Sequence, residues 1–233
     1  TNNRGNLFVT DNQGYLYQYE AEGSLVNQLA TSLSAPVTNL DPNNTVSIFL
    51  FSAALQRCEF LDRFLNPISS LSINEAISSG WVSQACPGNN NSLWLYDESD
   101  LNLNKFSLIN NEVVQAQALN TLIQQNDLEV VLLTERNNLL FLQIAGDGMY
   151  IFDNQANYIE KVALTTHNRS VISGDYVYVI QEDHLIKINY LTKTVQSIVI
   201  PKEKKFKKLG LSSQEIFLAN ENILVAYKRP KNF

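Results

Sequence analysis

The chain alternates between short apolar runs and polar turns, and six of the apolar runs carry an aromatic residue at their centre. The runs are Leu7-Phe8-Val9, Ile48-Phe49-Leu50, Leu93-Trp94-Leu95, Leu140-Phe141-Leu142, Val177-Tyr178-Val179 and Ile216-Phe217-Leu218. Their aromatic residues lie 37 to 47 residues apart. Short β-branched and aromatic runs of this kind indicate strands. A recurrence of roughly forty residues is the period of the four-stranded blades of a β-propeller.

Each repeat contains further strands around its aromatic run, as the second repeat illustrates. An alternating strand over 57–61 follows the aromatic run, and a polar turn leads from it to another strand over 68–73. A candidate innermost strand over 37–41 precedes the aromatic run, and equivalent segments occur at 80–85, 129–134, 170–174 and 206–211. The order within each blade is therefore inner, second, third and outer strand.

These repeats predict an all-β fold, a β-propeller of four-stranded antiparallel blades, as a single domain over residues 1–233. Six blades are expected, and five are the alternative if the incomplete ends merge. The first repeat lacks an inner strand and the last repeat lacks an outer strand. We expect the ring to close by pairing of the N- and C-terminal strands, because closure removes exposed sheet edges. Helix is expected only as one turn over 120–126.

The composition fits a globular domain and excludes some classes of partner. Hydrophobic residues make up 45% of the 233 residues and charged residues 17%, with a net charge of -6. Because nucleic-acid binding depends on a basic face, we expect no nucleic-acid partner. We expect no transmembrane segment, since no apolar stretch is long enough. The chain is expected to be a monomer.

The charge is unevenly distributed along the chain. Residues 1–160 contain five Lys and Arg and seventeen Asp and Glu. Residues 161–233 contain twelve Lys and Arg and six Asp and Glu. The basic second part can meet an anionic partner. The first residue is Thr1 and not methionine, which favours a signal peptide removed by processing and an extracytoplasmic location.

Cys58 and Cys86 are the two cysteines of the chain. They can form a disulfide in an oxidising compartment, but two cysteines in so long a chain do not constitute a disulfide framework. Two separate buried thiols are the favoured interpretation.

Residues 7–23 resemble a propeller repeat of the NHL type, within the six-bladed TolB-like group, and residues 149–159 are similar. The resemblance lies in a strand that ends in Asp, followed by a second strand and an acidic turn. The segment 55–65 resembles uncharacterised envelope propellers of Bacteroidota. This second resemblance implies an extracytoplasmic protein and no particular activity.

The NHL resemblance also implies an alternative function. Related propellers include calcium-dependent lactonases and other hydrolases that hold a metal in the central channel on carboxylate and amide oxygens. The candidate ligands here are Asn39, Asp41, Glu129 and Asp175. No spacing among them forms a known calcium loop, so we assign no metal site and no cofactor.

No catalytic residue is assigned either. His167 and His184 are the only histidines, and nothing around them resembles an activated nucleophile. Both are predicted to be surface residues.

The candidate binding residues are an unmatched tryptophan and a lysine cluster. The aromatic residues of the six runs occupy equivalent positions, which favours packing between blades over ligand stacking. Trp81 has no equivalent in the other repeats, so we predict that it contacts a partner or ligand. The lysine cluster, a charge run that is either simply solvated or a landing patch for an acidic partner, comprises Lys202, Lys204, Lys205, Lys207 and Lys208 around Phe206.

The function predicted from these features is a non-catalytic propeller that binds a protein partner in the cell envelope or outside the cell. Rigid repeat scaffolds present broad surfaces for binding. The alternatives are the calcium-dependent hydrolase and a sensor that binds a small ligand or glycan through Trp81.

Overall fold

The computed structural model describes residues 1–2, 4–43, 47–76, 80–123, 128–231 and 233. Within them, 22 strands form six antiparallel sheets, which confirms the six-bladed all-β propeller. The first three sheets comprise β1 (Leu7–Thr10), β2 (Tyr15–Tyr19) and β3 (Leu25–Ala30); β4 (Asn39–Asp41), β5 (Ile48–Ser52), β6 (Arg57–Leu61) and β7 (Pro67–Ser72); and β8 (Val82–Gly88), β9 (Ser92–Asp97), β10 (Asn102–Ser107) and β11 (Glu112–Ala118).

The other three sheets continue the same order. They comprise β12 (Val130–Arg136), β13 (Leu139–Ile144), β14 (Gly148–Asp153) and β15 (Tyr158–Ala163); β16 (Val171–Ser173), β17 (Tyr176–Gln181), β18 (His184–Asn189) and β19 (Val195–Val199); and β20 (Lys208–Leu211), β21 (Glu215–Ala219) and β22 (Leu224–Lys228). The inner, second, third and outer strands pair in sequence order within each blade.

Helix is limited to three short segments in the described part of the chain. They are α1 (Ile73–Ala76) and two 3-10 helices, Leu119–Thr121 and Lys202–Lys204. The turn predicted over 120–126 overlaps the first 3-10 helix, and its residues 124–126 lie outside the described residues. Among the described residues, no helix has the length and apolarity required to cross a membrane.

The second strands of the blades are mostly buried because neighbouring blades pack on both faces of the sheet. Every residue of β5 and of β9 is buried. The six repeat-equivalent aromatic residues are between 0% and 7% exposed, which confirms that they form the core. The outer strands, by contrast, mostly expose their side chains.

The first and last blades have three strands each, and they are not joined as expected. The inner strand of the first blade and the outer strand of the last are missing among the described residues, as predicted. The predicted pairing of N- and C-terminal strands is not found among the described residues: β1 pairs with β2, β22 pairs with β21, and these two sheets share no strand there.

A tight turn explains why the two ends do not pair. The backbone of Asn2 exchanges hydrogen bonds with those of Gly5 and Asn6, so the chain reverses just before β1. Thr1 reaches β20, where its hydroxyl donates to the carbonyl oxygen of Leu211, and the side chain of Leu7 in β1 lies beside Gly210. The first and last blades therefore meet through this bond and side-chain packing.

The ends of the strands define two faces of the ring. In the third blade Val82, at the start of the inner strand, is opposite Asp97 at the end of the second strand. Asn102, at the start of the third strand, is opposite both Asp97 and Ala118. We call the face with these ends, which carries the connections between blades, the crossover face. The opposite face, reached by the turns after the inner and third strands, is the hairpin face.

Two turns of the hairpin face are built around an aspartate and an asparagine four residues later. Asp62 Oδ1 accepts from the backbone N–H groups of Phe64 and Asn66 at 2.8 Å each, and the Asn66 amide donates to Oδ2 at 2.9 Å. Asp153 makes the same bonds with Gln155 and Asn157. The asparagine side chain, together with the backbone donors, lowers the pKa of both aspartates.

The lowered pKa values predict a loss of stability in acid. A carboxyl whose pKa is lower in the folded protein stabilises it above the unfolded-state value of about 3.9, and this contribution disappears as the pH falls through the folded value. We expect urea unfolding to show lower stability at pH 3 than at pH 5. In Asp62→Asn/Asp153→Asn, which keeps the oxygen that accepts from the turn backbone but cannot titrate, the decline between these pH values should be smaller. An unchanged decline would contradict the prediction.

Candidate functional site

A cavity of about 880 Å³ occupies the middle of the ring. Inner strands of the second, fourth, fifth and sixth blades contribute to its wall. Because the first blade has no inner strand, its second strand β1 also reaches the cavity. No described residue of the third blade contributes, since β4 and β12 both pack against its inner strand β8.

Asn39 and Arg169 join four blades near the crossover end of the channel. The Asn39 amide donates to the carbonyl oxygen of Ala85 at 2.5 Å and to that of Leu133 at 3.4 Å. The guanidinium of Arg169 donates to the carbonyl oxygen of Thr38 at 3.0 Å and to Asn39 Oδ1. These bonds run from the second blade to the third, fourth and fifth.

A second link crosses the channel closer to the hairpin face. Arg136 donates to both carboxylate oxygens of Asp41, at 2.8 and 2.9 Å, in the planar two-point geometry that suits a guanidinium and a carboxylate. The Asp41 side chain is only 5% exposed. Its Oδ1 also accepts from the backbone N–H of Asn43 at 2.9 Å. Both oxygens of Asp41 are therefore occupied by protein donors.

The structure brings together only two of the four candidate metal ligands. Asn39 and Asp41 line the cavity, but their oxygens already accept hydrogen bonds from arginines. Glu129 and Asp175 are exposed and do not line it. Among the residues described, no group of three His, Cys, Asp or Glu could hold a metal ion. The ligand set implied by the NHL resemblance is not assembled.

Among the described residues of the cavity wall, the charged side chains are mostly cationic: Arg136, Arg169, Lys207, Lys208 and Arg229, against Asp41 alone. Burial lowers the pKa of the Arg169 guanidinium, and Asp41 partly offsets this. Arg229 is held by the carbonyl oxygens of Phe233 at 2.7 Å and Ser212 at 3.2 Å and by the hydroxyl of Tyr178.

The predicted lysine cluster divides between the outer surface and the cavity. Lys202 and Lys204 belong to a 3-10 helix on the crossover face, and Lys205 follows with a left-handed backbone. Lys207 and Lys208 are exposed and line the cavity. Phe206 is only 4% exposed and packs against Tyr227, so it has no surface to offer a partner. The partner-binding prediction for the lysines stays a prediction.

Trp81 lies on the crossover face but far from the lysines. Its side chain is 46% exposed, and its backbone N–H donates to Asp97 Oδ1 at 3.1 Å and to the hydroxyl of Ser99 at 2.9 Å. It precedes the third blade, whereas the lysines precede the sixth. The two features are on opposite sides of the ring, so they form no single patch.

The histidines and cysteines agree with the sequence analysis. His167 is exposed, and Nδ1 of the half-exposed His184 lies 2.7 Å from Oδ1 of Asp183. Cys58 and Cys86 are two buried free thiols, as favoured. Burial raises the pKa of both thiols, which keeps them protonated and unreactive.

The sequence analysis missed a ring of exposed apolar residues on the hairpin side. It recurs in five consecutive blades, at the starts of the outer strands and in the turns before them. This apolar rim comprises Leu25, Val26, Phe64, Ile68, Ile109, Val113, Val114, Tyr158, Ile159, Leu191 and Val195. A signal was present: Leu25-Val26, Val113-Val114 and Tyr158-Ile159 each break the alternation of apolar and polar residues.

No family model matches the chain, and no curated protein matches it. Solved structures do match. PorZ, a bacterial surface component of the type-IX secretion system of Porphyromonas gingivalis, shares 14% identity at a TM-score of 0.64. This match covers 99% of the chain, which spans 32% of the length of PorZ.

Two further propellers match at lower identity. BamB of Moraxella catarrhalis shares 12% identity at a TM-score of 0.52, over 95% of this chain and 69% of that one. Virginiamycin B lyase of Staphylococcus aureus shares 9% at 0.57, over 97% and 85%. These proteins include a lyase and a secretion-system component, so the likeness does not extend to one activity. What the chain shares with them is the fold of a β-propeller.

Proposed function

We propose that this propeller is a non-catalytic module that binds a protein partner through the apolar rim of its hairpin face. The observation that carries the proposal is the recurrence of exposed apolar side chains at equivalent places in five consecutive blades. Ile109 is 72% exposed and Leu191 and Val195 are each 61% exposed. Extended apolar surface of this kind marks interaction sites on soluble proteins.

The rim is held in place before any partner binds. The Asn27 amide of the first blade donates to the carbonyl oxygen of Phe64 in the second at 2.9 Å. Lys193 of the fifth blade forms an ion pair with Glu160 of the fourth. Such ties between neighbouring blades reduce the conformational entropy lost on binding.

The setting that we propose is the cell envelope or the outside of the cell. The similarity of fold to PorZ, a bacterial surface component, supports this location, and so does the sequence resemblance to envelope propellers of Bacteroidota. Trp81 and the exposed lysines of the crossover face are the alternative contact surface for the partner.

Photo-crosslinking in the producing cells distinguishes the two surfaces. A benzophenone amino acid is placed at Ile109 or Leu191 on the rim, and at Leu55 or Trp81 on the crossover face, all of which are exposed. We expect one and the same protein to be crosslinked from both rim positions and from neither crossover position. Crosslinks from Trp81 alone, or no species shared by Ile109 and Leu191, would overturn the assignment to the rim.

Affinity for that crosslinked protein provides the quantitative test. The purified variant Ile109→Glu/Leu191→Glu should bind it at least about tenfold more weakly, because each substitution puts a charge into an apolar contact. The matched control Leu55→Glu/Trp81→Glu introduces the same charge on the other face and should change affinity less than about twofold. Equal losses in both variants would contradict a rim-specific contact.

A further inference from the structure

We infer that the central cavity is a binding site for a small organic oxyanion, a compound with carboxylate or phosphate groups. The inference goes beyond the proposed protein partner and concerns other residues. Its first support is the sign of the charge in the cavity wall, where the described residues include five cationic side chains and one carboxylate, that of Asp41. The net charge of the chain is -6, so the positive charge of the cavity wall is opposite in sign to that of the whole protein. Such a cleft attracts anions more strongly than an exposed surface does.

The second support is that Arg169 forms no ion pair among the described residues, although Asp41 acts on it electrostatically. Arg136 is paired with Asp41, but the described hydrogen-bond acceptors of Arg169 are the neutral oxygens of Thr38 and Asn39. A partly buried cation held by neutral groups retains a strong preference for an anion. A guanidinium presents several N–H donors in a planar fork that matches carboxylate and phosphate oxygens.

Lys207 and Lys208 extend this positive charge along the wall. Both are exposed, both line the cavity, and neither has an ion pair among the described residues. They open the sixth blade, next to the fifth blade that carries Arg169, and the inner strands β16 and β20 pack against each other. An anion in the cavity can therefore be approached by cations of two adjacent blades.

A third support is a hydroxyl group without a partner. Ser170 is 2% exposed, lines the cavity beside Arg169, and its Oγ makes no hydrogen bond to any described residue. A buried hydroxyl without a partner is costly, and an oxyanion that reached it would accept a hydrogen bond from it. The volume of about 880 Å³ exceeds the need of a simple inorganic ion and matches that of an organic metabolite.

Calorimetric titration at constant ionic strength tests the inference with three probes: citrate, inorganic phosphate and glucose. We expect citrate or phosphate to bind and glucose to give no heat of binding, because the cavity recognises charge. Citrate binding above phosphate identifies a polycarboxylate, and the reverse order identifies a phosphate compound. If neither anion binds below about 10 mM, or if glucose binds as well as both, the inference is wrong.

Two pairs of lysine substitutions separate the cavity from the general surface. Lys207→Gln/Lys208→Gln should weaken anion binding about tenfold, since it removes two cations from the wall. The control Lys202→Gln/Lys205→Gln removes the same charge from the same connection but outside the cavity, and should weaken it less than about twofold. Equal weakening by both pairs would show non-specific attraction and overturn the inference.

Asp41→Asn supplies a test of opposite sign. It removes the single carboxylate of the described wall and releases Arg136, so anion binding should become severalfold tighter. Circular dichroism verifies that the variant is folded, and a folded variant with unchanged or weaker binding would count against the site. None of these substitutions touches the apolar rim, so this result and that for the protein partner are independent.

Discussion

Trp94→Ala is expected to lower the free energy of unfolding by about 3–5 kcal/mol, the usual cost of removing a large aromatic side chain from a core. The Trp94 indole is 0% exposed and packs in the cluster between the third and fourth blades. Its Nε1–H also donates to Glu135 Oε2 at 2.6 Å, so the substitution leaves a carboxylate in the blade interface without this donor. Urea unfolding followed by circular dichroism measures the change. Since whole domains are stable by about 5–15 kcal/mol, the loss is large.

Two companion variants identify the source of that loss. Trp94→Phe keeps most of the ring but removes the N–H, and should cost about 1–3 kcal/mol because Glu135 then retains only its bond from the Asn89 N–H at 3.2 Å. Trp81→Ala is the control, since Trp81 is 46% exposed, and should change stability by less than about 0.5 kcal/mol. If Trp81→Ala were as destabilising as Trp94→Ala, the assignment of Trp94 as the blade-interface tryptophan would be wrong.

Blade number and strand order could be predicted from the sequence because each blade has the same local requirement. A second strand that is buried on both faces needs an uninterrupted apolar run, which is why Phe49 and Trp94 occupy equivalent places. The predicted bounds of the innermost strands are also close to the observed ones. For the third blade, the sequence predicts a strand over 80–85, and β8 covers Val82–Gly88. Such features depend on neighbours that every repeat supplies.

The links across the channel could not be predicted in this way. Arg136 reaches Asp41 across 95 positions, and Arg169 reaches Asn39 across 130. Which side chains meet in the channel depends on how far each inner strand extends toward the axis of the ring. No local pattern in the sequence indicates that distance. Asn39 and Asp41 were candidate metal ligands, but in the structure their side-chain oxygens accept hydrogen bonds from arginines.

The lysine cluster shows a different limit. Its charges predicted an exposed segment, and Phe206 was assigned to the same surface because lysines surround it. The connection instead turns at Lys205, whose left-handed backbone directs the next residue inward, so Phe206 packs beneath the segment. A single apolar residue in a charged run often packs into the core and anchors the run. One such residue gives no repeating pattern of apolar positions, so its burial cannot be predicted from the sequence.

The fifth blade depends on one buried amide for the placement of Arg169. Gln143 is 0% exposed. Its side chain donates to the carbonyl oxygen of Asn168 and accepts from the N–H of Ser170, both at 2.9 Å. Gln143 therefore holds the backbone on either side of Arg169 by hydrogen bonds, and this determines how the Arg169 guanidinium enters the channel. The architecture of the ring and the charge of the cavity are coupled through this side chain.

Gln143→Leu is accordingly expected to lower the free energy of unfolding by about 2–4 kcal/mol. Leucine is of similar size but makes no hydrogen bond, so the carbonyl oxygen of Asn168 and the N–H of Ser170 both lose their partner inside the protein. Urea unfolding measures the loss, and Gln155→Leu, at an exposed turn position, should change stability by less than about 0.5 kcal/mol. Because Gln143 positions Arg169, the folded variant should also bind anions more weakly than wild type. A variant as stable as wild type would show that the connection holds its shape without this amide.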